Sequence, residues 1–241
     1  MKYVIGNQKT YLSCDEAYKF SNISNKSTEK VKVIICPSMA YLSLFANSKN
    51  EIGSQDIAYQ DIKATTGEVT ISQLKFMNIS YSIVGHSERR EYQQENNELI
   101  SKKVNLLLEN DMIPVLCVGE TKEEREEKKD KEVILNELVE VAKNQDKEKL
   151  SKMIVAYEPI WSIGTGLIPT KEEIKDTISY IKEVMKERYQ IDVSVLYGGS
   201  VNAKNIEELN TIDVVDGYLI GGASTKEEEW NFIVNYVIEN E

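Results

Sequence analysis

The chain of 241 residues has a single histidine, His86, and three cysteines, Cys14, Cys36 and Cys117. The cysteines are far apart, odd in number and form no CxxC or Cys/His pattern, so no disulfide framework and no metal site is expected. They read as reduced thiols used as small core or near-core residues. Cations are also scarce: 29 Lys and Arg face 40 Asp and Glu, a net charge of −11. That balance argues against nucleic acid or an anionic membrane as partner. It also means that an anionic substrate must be held by local groups. No stretch approaches the roughly 20 apolar residues of a membrane span. The start, Met1-Lys2-Tyr3-Val4-Ile5-Gly6, runs straight into a strand and lacks the apolar core and cleavage site of a leader. A cytoplasmic protein is expected. There is no linker, repeat or low-complexity tract, so residues 1–241 are expected to form one domain.

Short apolar runs, rich in Val and Ile and mostly not alternating, lie at 3–7, 32–36, 52–58, 81–84, 113–117, 153–157, 193–197 and 217–220. Such runs suit parallel strands buried on both faces. Helical stretches fall between them, at 15–22, 39–47, 91–109, 123–143, 171–189, 203–209 and 227–239. Asp61 to Ser72 reads as a long loop. Thr170-Lys171-Glu172-Glu173 is a capping box ahead of the sixth helix. The charged run from Glu120 to Glu132 reads as a solvated helix face laced with i,i+4 pairs. Eight strands alternating with helices fit a closed α/β barrel best. A doubly wound open sheet is the alternative; its dinucleotide-binding form predicts a Gly-rich fingerprint after the first strand, where Asn7-Gln8-Lys9-Thr10 stands instead.

A barrel of this kind carries its chemistry at the carboxyl ends of its strands. His86 ends one strand, in Val84-Gly85-His86-Ser87-Glu88, and Glu158 ends another, in Ala156-Tyr157-Glu158-Pro159. An imidazole and a carboxylate facing one substrate can move protons. Asn7 and Lys9 leave the first strand two residues apart, hence on one side. Lys9 can balance an anion and a developing oxyanion. Gly164-Thr165-Gly166, after Pro159-Ile160-Trp161-Ser162-Ile163, has the composition of a lid that excludes water. Gly198-Gly199-Ser200 and Gly221-Gly222-Ala223-Ser224 follow strands seven and eight, a frequent phosphate site in barrels. No cofactor motif is present. The set suits proton abstraction beside a carbonyl, through an enediolate, on a small phosphorylated substrate.

These segments resemble the triosephosphate isomerase family over essentially the whole chain. The resemblance is carried by Gly6-Asn7-Gln8-Lys9, Thr66-Gly67-Glu68, Val84-Gly85-His86-Ser87-Glu88-Arg89-Arg90, Cys117-Val118-Gly119-Glu120, Ala156-Tyr157-Glu158-Pro159-Ile160-Trp161, Ile163-Gly164-Thr165-Gly166, Tyr197-Gly198-Gly199-Ser200 and Asp216-Gly217-Tyr218-Leu219-Ile220-Gly221-Gly222. It implies a single (β/α)8 TIM barrel, an α/β fold around a closed parallel sheet. It implies isomerisation of dihydroxyacetone phosphate and D-glyceraldehyde 3-phosphate without a cofactor. Glu158 would be the base. His86 would be a neutral electrophile, its pKa lowered by a helix N-terminus; this family is the standard illustration of that effect. The imidazole would then stay neutral from about pH 5 to 9. Lys9 would stabilise the oxyanion and the phosphate, with Asn7 beside it and Glu88 as its ion partner. Gly164, Ser200, Gly221 and Gly222 would bind the phosphate. Ile163 and Leu219 would clamp the base and keep it dry, and Cys117 would stand behind the site. A homodimer is implied, through the loop from Asp61 to Ser72.

The chain departs from the family at several places. Gln8 and Thr10 stand where the family usually has tryptophan and methionine, and Tyr11 replaces a usual asparagine. Ser162 replaces an alanine, and Leu167-Ile168-Pro169 replaces the usual second hinge of the lid, which predicts altered lid closure. The loop Asp61-Ile62-Lys63-Ala64-Thr65 lacks the usual glycine and aromatic. Two other functions are compatible with the same residues: isomerisation of a four-carbon sugar phosphate such as erythrulose phosphate, and a phosphate-binding barrel without catalysis.

Overall fold

Strands that are apolar on both faces need cover on both faces. The computed structural model supplies it with a ring of strands inside a shell of helices; it describes residues 1–25, 27–143, 145–163 and 167–241. The strands are β1 (Lys2–Asn7), β2 (Val31–Cys36), β3 (Glu51–Ser54), β4 (Tyr81–Val84), β5 (Ile113–Val118), β6 (Ile154–Tyr157), β7 (Ser194–Tyr197) and β8 (Gly217–Ile220). Each pairs in parallel with the next, and β8 pairs with β1, so the sheet closes.

Alternation along each strand sorts side chains into two compartments. Ile5, Ile34, Cys36, Ile83, Val115, Cys117, Ala156, Leu196 and Leu219 point inward and fill the barrel. Val4, Val33, Ile35, Val84, Leu116, Val155, Val195 and Ile220 point outward, against the helices. The inward series therefore ends, at the carboxyl mouth, on Asn7 and Cys117.

The helices are α1 (Cys14–Ser21), α2 (Ile71–Phe76), α3 (Ser87–Tyr92), α4 (Asn97–Glu109), α5 (Lys122–Glu126), α6 (Asp130–Ala142), α7 (Lys147–Leu150), α8 (Lys171–Tyr189), α9 (Ile206–Leu209) and α10 (Glu227–Glu239). The expected capping box opens α8: Thr170 Oγ1 accepts from the Glu173 N–H at 3.2 Å, and Glu173 Oε2 accepts from the Thr170 N–H at 2.7 Å.

Several boundaries differ from the sequence reading. The helix expected over 91–109 is two helices, broken at Gln94, whose φ is +53°, and restarted by Asn96, which caps α4. The helix expected over 123–143 is broken at Lys128, with φ +58°. The stretch expected as a helix at 39–47 is a 3₁₀ segment, Met39–Phe45. The third strand stops at Ser54 because the next residues are held elsewhere. Gln55 donates to the main-chain oxygens of Lys9 and Cys36, and Asp56 pairs with Lys103. Glu120, at the head of the charged run, is fully buried and not part of a solvated face. Among the described residues no helix is long and apolar enough to cross a membrane.

The ring closes where Gly217 lies against Tyr3. Gly217 has φ +148°, and a Cβ there would stand 2.0 Å from the Tyr3 carbonyl oxygen. Gly217→Ala is therefore expected to cost about 3 kcal/mol or more. Urea unfolding would check this; a loss below about 1 kcal/mol would mean that closure tolerates a side chain at the seam.

Candidate active site

Asn7 ends β1 pointing into the mouth of the barrel, and the chain then turns sharply at Lys9, whose φ is +47°. The turn is held on both sides. Asn7 Oδ1 accepts from the Lys9 N–H at 3.1 Å, and the Lys9 carbonyl accepts from Gln55 Nε2 at 2.8 Å. The Lys9 ammonium thus reaches over the mouth, where Nζ meets Glu88 Oε1 at 2.5 Å.

His86 follows β4 and caps α3. Its Nδ1 accepts from the Glu88 N–H at 3.2 Å, so Nδ1 has no proton in this geometry and Nε2 is the donor. Nε2 stands 3.0 Å from Glu158 Oε1. Glu158 follows β6, and its Oε2 accepts from the Ser87 N–H at 3.3 Å. Gly198, which follows β7, leaves room for this carboxylate: a Cβ there would stand 3.0 Å from Glu158 Cγ.

Asn7, Lys9, His86, Glu88, Glu158, Ile163, Ser200, Leu219, Gly221 and Gly222 all line one cavity of ≈ 320 Å³. Gly221 and Gly222 form one wall, and the nearest side-chain atom to a Cβ at Gly221 would be Lys9 Cε, at 3.8 Å. Ser200 Oγ donates to the Ser162 carbonyl at 2.8 Å, tying the seventh loop to the first turn of the lid. Cys117 is buried and lines a narrow gap beside Glu158, behind the main cavity. Gly164 and the rest of 164–166 lie outside the described residues. Among the described residues no cluster of three His, Cys, Asp or Glu could hold a metal ion.

Three features escaped the sequence reading. Tyr11, noted only as a departure, also lines the cavity. So do Gly198 and Gly199, read from the sequence as part of a phosphate motif but given no role of their own. Glu120 anchors the segment that leads into the expected lid: its Oε1 accepts from Trp161 Nε1 at 2.8 Å and Tyr157 OH at 3.2 Å, with Arg125 at 3.3 Å. The Arg125 guanidinium lies 4.8 Å over the Trp161 ring and also pairs with Glu173 at the start of α8. Burial pushes the Glu120 pKa up. Its place directly after Gly119, in the segment Cys117-Val118-Gly119-Glu120 that runs on from β5, could have pointed to it.

Burial alone lowers the His86 pKa, but the adjoining Glu158 carboxylate outweighs it through charge and hydrogen bond, so the net pull is upward. Burial alone raises the Glu158 pKa, and the His86 imidazole and the Ser87 N–H outweigh it, so the net pull is downward. Nδ1 as an acceptor agrees with the expected neutral imidazole, while the Glu158 contact pulls its pKa upward in the free site. The helix N–H on Nδ1 resists a second proton, while Glu158 promotes one as long as the pair stays closed. Burial, with Glu158 second, raises the Cys117 thiol well above its usual range, so it is not a thiolate.

A closed barrel with an acid–base pair, an ammonium and a glycine wall at its carboxyl mouth defines an enzyme of the (β/α)8 class. The family model described as Triosephosphate isomerase matches residues 2–237. A protein named triosephosphate isomerase from Dictyoglomus turgidum is 37% identical over 245 residues, covering 96% of this chain and 98% of the relative. One of the same name from Mycoplasmoides gallisepticum is 40% identical over 235 residues, covering 92% and 93%. Another, from Alkaliphilus oremlandii, is 35% identical over 243 residues, covering 97% and 98%. The chain belongs to the triosephosphate isomerase family.

Because His86 is the sole histidine, its proton NMR titration needs no assignment. The free protein is expected to titrate above the ordinary imidazole value, and Glu158→Gln is expected to lower the midpoint. A midpoint indifferent to Glu158→Gln would show that the pair does not set the imidazole charge.

Proposed function

We infer that this chain interconverts dihydroxyacetone phosphate and D-glyceraldehyde 3-phosphate, with Lys9, His86 and Glu158 as the catalytic groups. The observation that carries the reading is the meeting of these three, from three strand ends, in one ≈ 320 Å³ cavity walled by Gly221 and Gly222. Glu158 takes a proton from the carbon beside the carbonyl. The electron pair moves toward the carbonyl oxygen, to which His86 Nε2 donates. Lys9 balances the resulting enediolate and the phosphate. Glu158 then returns its proton to the neighbouring carbon, while the hydroxyl proton of the first carbon passes to the former carbonyl oxygen by way of His86 Nε2, leaving the aldehyde. The Nε2 proton cannot serve Glu158 and the carbonyl oxygen at once, so substrate must part the pair. Ile163 and Leu219 shield the base from water, and Glu88 positions Lys9. The glycine wall and Ser200 offer groups for the phosphate, with Gly164 assigned to the same task by family resemblance.

Nothing in the cavity favours a four-carbon substrate, and a scaffold without catalysis leaves the meeting of the three groups unexplained. A coupled assay with D-glyceraldehyde 3-phosphate is expected to give kcat/KM on the order of 10⁷–10⁸ M⁻¹s⁻¹. Glu158→Asp withdraws the carboxylate by one methylene and is expected to lower kcat about 10²-fold while phosphate affinity barely changes. Unchanged turnover would refute the assignment of the base.

A homodimer through the loop from Asp61 to Ser72 is part of the same reading. A second cavity, of ≈ 430 Å³, opens on the other side of Lys9 and His86 and is lined by Thr10, Met39, Gln55 and Tyr92. Tyr92 in its lining is exposed, as are Tyr11 and, on the loop, Ile62. The same loop of a second copy suits that cavity and would brace the Lys9 turn. Thr66→Arg, at the loop's exposed tip, is expected to yield monomers by sedimentation, with reduced turnover; an intact dimer would move the interface elsewhere. The three unpaired thiols accord with a cytoplasmic protein, and the acidic charge with the absence of a nucleic-acid partner.

A further inference from the structure

Asn7 points into the mouth and the chain alternates, so Gln8 points outward. Most outward positions elsewhere on the ring are Val, Ile, Leu or Tyr. Gln8 instead buries a primary amide, 1 % exposed. Its Nε2 donates to the Ser224 carbonyl at 3.2 Å. Its Oε1 is buried with no hydrogen-bond partner among the described residues. A half-satisfied buried amide costs stability, and the one bond it makes indicates what offsets that cost.

Ser224 lies in the 3₁₀ segment Gly222–Thr225 that follows β8. Its N–H and its Oγ both donate to the Gly221 carbonyl, at 2.8 and 2.7 Å. Gly221 and Gly222 are the wall of the cavity. The ladder between β1 and β8 ends at Gly6 and Ile220. Beyond that point the two strand ends separate, one carrying Lys9 and the other the glycine wall. The Gln8 amide bridges them.

We propose that Gln8 is a positioning residue for the phosphate end of the substrate. By holding the Ser224 carbonyl it fixes the pitch of the Gly221 and Gly222 main chain relative to the Lys9 ammonium. Gln8 itself does not line the cavity, so it acts through Ser224. The inference rests on reading Gly221 and Gly222 as the phosphate wall.

The test compares D-glyceraldehyde 3-phosphate with phosphate-free D-glyceraldehyde on one preparation of each variant, so that the folded fraction cancels from the ratio. Gln8→Met keeps the length and removes the donor. Gln8→Glu keeps the shape and turns a carboxylate oxygen toward the Ser224 carbonyl. Both are expected to raise KM for D-glyceraldehyde 3-phosphate and the inhibition constant of inorganic phosphate about tenfold, the scale of one buried hydrogen bond. For the phosphorylated substrate kcat is expected to stay within about threefold, and kcat/KM for D-glyceraldehyde within about twofold. Equal losses on both substrates would reduce Gln8 to a packing role and overturn the proposal. So would an unchanged inhibition constant in both variants. Failure of inorganic phosphate to compete in the wild-type protein would instead defeat the phosphate-wall reading, and the proposal with it.

Discussion

The closure of β8 onto β1 is the constraint on which the rest depends. An open parallel sheet has two edges and splays its strand ends along a line. Once Tyr3 pairs with Gly217, every inward-pointing series converges on one mouth. Asn7 and Gly221, far apart in sequence, then lie on adjoining strand ends. Lys9, His86 and Glu158 stand on three sides of one cavity for the same reason. Closure also dictates the composition of the interior. The barrel is filled by mid-sized aliphatic side chains, and polar groups collect only at its ends.

The second constraint is electrostatic. A chain with a net charge of −11 has to hold an ammonium and an imidazole rigidly at its mouth. It does so through buried ion networks on both flanks of α3. On one flank, Lys103 meets Asp56 at 2.7 Å and Glu95 at 2.6 Å, and Arg89 meets the same two carboxylates at 2.8 and 2.7 Å. Two cations and two anions leave no net charge buried. Removing one partner of such a set costs about 3–5 kcal/mol. On the other flank, Arg90 donates to the Gly85 and Cys117 carbonyls and meets Glu137 at 3.2 Å. Glu137 in turn accepts from the Gly119 N–H, and burial pushes its pKa up to about 7. The adjacent arginines thus tie the helix that carries His86 to elements on either side.

How much of this was legible depended on the range of the interaction. Strands were found because β-structure buried on both faces leaves a local mark, a short unbroken apolar run such as Ile83-Val84. Strand-end residues followed, since each lies next to such a run. Helix breaks at Gln94 and Lys128 were missed because neither is glycine or proline, yet both adopt positive φ. The third strand was read too long because Gln55 and Asp56 leave the ladder for partners remote in sequence: Lys9 and Lys103. Glu120 reads as one more acid in a charged run, and only the folded chain sets it under Trp161. Gln8 registered as a missing tryptophan, with no hint that its amide would reach Ser224, 216 residues away.

The closed pair of His86 and Glu158 shows how the resting site differs from the working one. The raised imidazole pKa contributes stability at low pH that is lost as pH rises through the folded His86 value. The lowered carboxyl pKa contributes stability at high pH that is lost as pH falls through the folded Glu158 value. Both contributions coexist only between these two values. Within that window the free site is stabilised by the closed contact between His86 and Glu158, which catalysis must open. A carboxylate released from its imidazole, in a cavity shielded by Ile163 and Leu219, regains the higher pKa that burial alone would set. The electrophile changes in the opposite sense: without Glu158 beside Nε2, burial and the Glu88 N–H on Nδ1 both favour neutral imidazole. Substrate that separates the two therefore strengthens the base and removes the pull toward a second proton on the imidazole in the same movement. In this way the resting geometry stores the pair in its least reactive form.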